Sequence, residues 1–149
     1  MKIVESKLIN ATPGMVWEII QDPGNMPAWN HKCVFSETPN EIIVGAQFAV
    51  AYQMSRERQE MRGEIIGYEP ERLIHFRYSG EQNGKPSVVD EILELESRGA
   101  DKVLVRNIVD ITKSGLPKWV QVLAFVLSKI GRKMGDGPLD HIEGLIPKF

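Results

Sequence analysis

Glu91 is the residue in this sequence whose type and setting most invite chemistry. It stands on the apolar stripe Val89, Glu91, Leu93, Leu95 of segment 87–97, whose other face carries Asp90, Glu94 and Glu96. Period-two alternation of this kind marks a half-buried strand, so the spacing sends Glu91 inward. Segment 102–112 places Asn107 on its own apolar stripe with Val103, Val105, Val109 and Ile111. A turn of residues 98–100 then sets Asn107 directly across from Glu91. A carboxylate in apolar surroundings has its pKa raised by desolvation and can act as general acid or base, or anchor a ligand hydroxyl. Glu91 is therefore the candidate catalytic residue. The structural alternative is a bulge that returns it to solvent, or an Asn107 that merely satisfies it.

Tyr52 and Tyr78 also occupy apolar faces, where a phenol can line a pocket and donate to a polar ligand atom. His75 alternates with Arg77 opposite Ile74, Phe76 and Tyr78, which points it to solvent. His31 lies in a breaker-rich segment with no partner for a triad or dyad, and His141 reads as a surface position on a late helix. Cys33, the single cysteine, has no partner for an internal disulfide. His31 and Cys33 together lack the further ligands that a zinc site needs, so no metal is expected. The glycines at 131, 135 and 137 follow a helix rather than a strand and lack the lysine of a phosphate loop. No cofactor is expected.

These residues need a scaffold, and the pattern supplies one. Lys2 to Asn10 reads as an opening strand, and Thr12-Pro13 caps a short helix carrying Met15, Val16, Ile19 and Ile20. Pro23, Gly24, Asn25 and Pro27 make 22–30 a turn with at most one helical turn. A weak strand near 33–37 follows, then Phe48, Val50, Tyr52 and Met54 on one face, then strands at 61–68, 73–79, 87–97 and 102–112. The mixed charges of 55–60 read as an exposed hairpin loop, and the short connections imply an antiparallel meander. Leu116, Val120, Leu123, Leu127, Ile130 and Met134 share one face of a long C-terminal helix, which Gly131, Gly135, Gly137 and Pro138 interrupt.

With 149 residues and no repeat or linker, residues 1–149 are expected to form a single domain. Eighteen basic residues against 20 acidic ones leave no positive field for nucleic acid. The first ten residues lack a basic start and an apolar run, so a cytoplasmic protein is the expectation. The apolar stretch from Trp119 to Ile130 spans only about 18 Å as a helix, too short for a bilayer.

Strand, short helix, six further strands and one long helix is the element order of the α+β helix-grip fold. In detail the sequence resembles the START-like superfamily, in its polyketide cyclase/dehydrase and lipid-transport branch. The resemblance rests on Ala11-Thr12-Pro13, Val16-Trp17, Asp22-Pro23, Pro27, Trp29, Val44-Gly45 and the run Tyr68-Glu69-Pro70-Glu71-Arg72-Leu73. These are caps, turns and packing tryptophans, so they speak for fold more than for chemistry. The resemblance implies a curved seven-stranded antiparallel sheet wrapped around the C-terminal helix, enclosing a cavity for a lipid, polyketide or similar apolar molecule.

The expected function is a carrier or sensor of a hydrophobic small molecule, with Phe48, Tyr52, Phe76, Tyr78, Glu91, Asn107, Leu123 and Leu127 as ligand contacts. Trp17 is expected in the core and Trp29 at the cavity rim. Two alternatives stay open. One is a cyclase or dehydrase working through Glu91 and a tyrosine in the same cavity. The other is an accessory subunit whose C-terminal helix, with Trp119, Val122, Phe125 and Val126, docks on a membrane or a protein. A homodimer is a separate open expectation.

Overall fold

Strand β1 (Lys2–Ile9) leads into α1 (Pro13–Ile20), a 3-10 turn at Pro23–Asn25 and α2 (Met26–Trp29). Six strands follow: β2 (Cys33–Ser36), β3 (Gln47–Met54), β4 (Glu57–Glu69), β5 (Leu73–Gln82), β6 (Lys85–Ser97) and β7 (Val103–Asp110). A last helix spans Pro138–Leu145. This computed structural model describes residues 1–54, 56–82, 84–117, 120–124, 126 and 137–147.

The strands form one antiparallel sheet in the order β1-β7-β6-β5-β4-β3-β2, a meander closed by the first strand pairing with the last. It is a curled half-barrel whose inner face carries the core. Alternation decides that face: Phe48 and Val50 of β3, Ile74, Phe76 and Tyr78 of β5, Leu93 and Leu95 of β6, and Val103 and Val105 of β7 are all buried. In β4 the pairing slips between Ile65 and Gly67. This bulge resets the parity, so Tyr68 joins the core side and packs its ring 5.4 Å from that of Trp17. Gly63 is required where it stands, because a Cβ there would lie 2.3 Å from the Phe48 ring.

Helix α1 starts as its sequence dictates. The Thr12 hydroxyl accepts from the Met15 N–H at 3.3 Å, Pro13 occupies the first turn, and Val16, Trp17 and Ile20 are buried. Trp29, expected at a rim, is instead only 1% exposed, because α2 lays it against the core.

Three connections differ from expectation. Residues 57–60 are strand rather than loop, with Met54 opposite Glu57, and β5 and β6 extend to Gln82 opposite Lys85. Charged residues suit such ribbons because they run out into solvent beyond the core. Gly84, at φ 76°, takes the left-handed conformation at the second turn. Between β6 and β7 the loop comprises residues 98–102, longer than expected, with Gly99 at φ 112° and the Arg98 N–H donating to the Lys102 carbonyl at 2.9 Å.

Residues 120–124 and 126 are helical, at the start of the expected long helix. Trp119, Phe125, Leu127, Ile130 and Met134, and most of the glycine-rich break, lie outside the described residues. Its end does not: Gly137 is the N-cap of the Pro138–Leu145 helix, and its N–H donates to Asp140 Oδ2 at 3.0 Å. Leu139 and Ile142 anchor this helix in the core, against α2, α1 and β1. Lys7 of β1 bonds Asp140 and lies 3.1 Å from Glu143. Among the described residues no helix is long and apolar enough to cross a membrane.

Candidate functional site

The inner face of the sheet gathers Glu91 from β6, Asn107 from β7, Tyr78 from β5 and Tyr52 from β3. Strand register brings them together. Glu91 faces Phe76 on one side and Val109 on the other, while Asn107 faces Leu93. Glu91 and Asn107 are thus diagonal neighbours rather than the opposed pair expected, because the 98–102 loop shifts the register by two residues. An even shift keeps both side chains on one face, and the contact forms: Asn107 Nδ2 donates to Glu91 Oε2 at 2.9 Å. On the other carboxylate oxygen, the Tyr78 hydroxyl donates to Oε1 at 2.8 Å. Glu91 is 4% and Asn107 5% exposed, so the bulge that would free Glu91 to solvent does not occur.

Burial raises the Glu91 pKa, and the hydrogen bonds from Asn107 and Tyr78 pull against that rise. Among the described residues no cation enters this balance. The Tyr52 and Tyr78 phenols are held well above their ordinary values, first by burial and next by the nearby Glu91 charge. Their rings meet edge to face, with centroids 5.6 Å apart. Met26 of α2 plugs the spot from the side opposite the sheet. Its Sδ lies 3.1 Å from the Tyr52 hydroxyl and 3.4 Å from that of Tyr78. Phe48 and Phe76 complete an aromatic wall around it, edge to face at 5.9 Å. Cys33 is buried nearby, and desolvation pushes its thiol up to about 11, so it is no nucleophile as it stands.

Other expected contacts fall elsewhere. Leu123 is 49% exposed, together with Val122 and Val126, so it does not line the buried cluster, and Leu127 is outside the described residues. His75 sits on the outer face 3.3 Å from Asp90 Oδ2. Arg77 grips Asp90 with bonds of 2.9 and 3.0 Å and lowers its pKa.

Two residues of the area were misjudged or missed in the sequence. Met26 lies in a stretch dense in breakers, where no face could be assigned; the one signal was Pro27, suited to the first turn of a helix. His31 does have a neighbour, since its ring stacks on that of His141 at 3.8 Å and 17°. The His141 Nδ1 also approaches the Trp29 carbonyl at 3.3 Å, so this ring stack ties the last helix to the end of α2.

Two surface grooves accompany the cluster. One, of about 480 Å³, runs between α1, α2 and the last helix along Met15, Ile19, Ala28, Leu145 and Pro147. The other, of about 350 Å³, crosses β3, β4 and β5 beside Gln47, Met61 and Arg62. Neither is lined by Glu91.

Residues 1–136 match the family model described as polyketide cyclase / dehydrase and lipid transport. No curated protein matches the chain. Among solved structures, protein MLL2253 of Mesorhizobium loti is similar at 16% identity and a TM-score of 0.67, over 97% of this chain and 96% of that one. Major latex-like protein 151 of Panax ginseng is similar at 15% identity and a TM-score of 0.66, over 99% and 98%. The di-domain ARO/CYC protein BexL of the BE-7585A biosynthetic pathway is similar at 14% identity and a TM-score of 0.70, over 97% of this chain and 47% of BexL. At these identities the likeness is one of fold.

Proposed function

Because the chain belongs to the polyketide cyclase/dehydrase and lipid transport family, we propose that it binds a hydrophobic small molecule against the inner face of its sheet, as a carrier or sensor. One observation carries this reading. An aromatic wall of Phe48, Tyr52, Phe76 and Tyr78 surrounds a buried carboxylate that has hydrogen-bond donors and, among the described residues, no counter-ion. A site of apolar walls with a few convergent polar groups is the usual form of a small-molecule site. Burial of apolar ligand surface, at about 25 cal/mol per Å², would supply the affinity without any catalytic group. Native mass spectrometry of protein purified under mild conditions, together with thermal melting in the presence of N-phenyl-1-naphthylamine, tests the reading. A co-purified lipid-like mass or a raised Tm supports it; no bound mass and no shift would sink it.

The Tyr78–Glu91 hydrogen bond favours a second reading, a cyclase or dehydrase in which this pair moves protons on the bound molecule. BexL, as an ARO/CYC protein, has the same fold. Turnover of a polyketide-like substrate that survives Glu91→Gln unchanged would remove Glu91 from that mechanism.

A further inference from the structure

The helical residues 120–124 and 126 invert the usual arrangement of a surface helix. Gln121, the polar side chain among them, is only 8% exposed and donates through Nε2 to the Leu116 carbonyl at 2.9 Å. Val122, Leu123 and Val126 are 49%, 49% and 46% exposed. At about 3.6 residues per turn these three fall on one side of the helix, the side away from Gln121. Single exposed apolar residues are ordinary, but three on one face form a patch suited to an apolar cover.

Charge identifies that cover. Between Asp110 and Asp136 the sequence holds Lys113, Lys118, Lys129, Arg132 and Lys133 and no acid, although acidic residues outnumber basic ones in the chain as a whole. Lys113, at the root of the segment, is exposed. A second copy of this chain docked face to face would set this positive run against itself, since a two-fold contact apposes identical surfaces. An anionic lipid surface offers the opposite sign together with an apolar layer just beneath it. Trp119, just ahead of the patch in the sequence, is a residue type that such interfaces favour. Among the described residues no helix is long and apolar enough to cross a membrane, so the contact is with its surface. We propose that the face of Val122, Leu123 and Val126 docks this protein on the surface of a bilayer rich in anionic lipid. This goes beyond ligand binding at the inner face of the sheet and does not depend on it.

The test is flotation of the full chain with vesicles of phosphatidylcholine alone, or of phosphatidylcholine and phosphatidylserine in equal parts. Binding to the phosphatidylserine vesicles should be at least about tenfold stronger, and should fall steeply between about 0.1 M and about 1 M salt. Val122→Gln with Leu123→Gln should lower it at least about tenfold while leaving Tm unchanged, because both side chains already meet water. Ile43→Gln with Val44→Gln, at residues 52% and 58% exposed but outside the basic run, should bind as the parent does. Equal binding to both vesicles, no binding to either, binding that the Val122 and Leu123 changes leave intact, or an equal loss from the Ile43 and Val44 changes would overturn the proposal. So would a lowered Tm in the Val122 and Leu123 variant, which would show the face covered within the folded chain. A parent that sediments as a dimer, beside a Val122 and Leu123 variant that does not, would overturn it by assigning the face to a second copy.

Discussion

The Glu91 cluster and the seat of the last helix both join side chains from distant parts of the chain, but by different forces. In the cluster, Asn107 and Tyr78 donate to a carboxylate that is 4% exposed, so each bond operates in a medium of low dielectric. At the helix seat, Lys7 meets Asp140 and Glu143 at side-chain exposures of 18–43%, where water and salt screen every charge. Beneath the ion pairs, Leu139 and Ile142 are fully buried and provide the actual anchor. Polar contacts therefore determine the cluster, whereas at the helix seat they only trim a hydrophobic attachment.

The largest effect expected from breaking this contrast is at Asn107. Asn107→Leu leaves one oxygen of Glu91 without its donor, which should cost about 2–3 kcal/mol in urea unfolding at pH 7. A loss no larger than that of an exposed substitution would mean that the cluster is wetter than its burial implies.

Glu91→Gln probes the same cluster with the opposite sign. A folded-state pKa raised above the unfolded one contributes stability at low pH that is lost as pH rises through the folded value. Glutamine keeps the shape and removes that loss. The variant should match the parent near pH 4 and exceed it by on the order of 1 kcal/mol at pH 8, about 2–4 °C in Tm. A parent more stable than the variant at pH 8 would show that Asn107 and Tyr78 outweigh desolvation.

Lys7→Ala should have the smallest effect, about 0.5–1 kcal/mol in dilute buffer and less at 1 M salt. Its partner Asp140 has a lowered pKa, so this contribution is present at neutral pH and fades as pH falls through the folded value. A salt-independent loss would place Lys7 in packing rather than in charge pairing.

The same contrast separates what the sequence made legible from what it hid. Strand parity carried Phe48, Tyr52, Phe76, Tyr78, Glu91 and Asn107 to one face, and it tolerated a turn misjudged by two residues because an even shift preserves faces. Parity has no equivalent for a loop meeting a helix. The stacking of His31 on His141, the depth of Trp29 and the plug formed by Met26 depend on where α2 and the last helix settle. Short helices set between prolines carry too few turns to declare a face. The exposure of Leu123 has a similar origin: helical periodicity identifies residues that share a stripe, not what that stripe meets.

Strand β1 bears a consequence for the order of assembly. Among the described residues it pairs with β7 alone, Ile9 opposite Val103 and Lys2 opposite Asp110, whereas β2 to β7 each pair with a strand adjacent in sequence. On a ribosome adding about 5–20 residues per second, β1 waits roughly 5–20 s for β7 to be made. The hairpins of the meander can zip up in that interval, since short loops close at low entropic cost. Closing β1 onto β7 is then the step that completes the sheet, and it carries Lys7 to the place where the last helix will land.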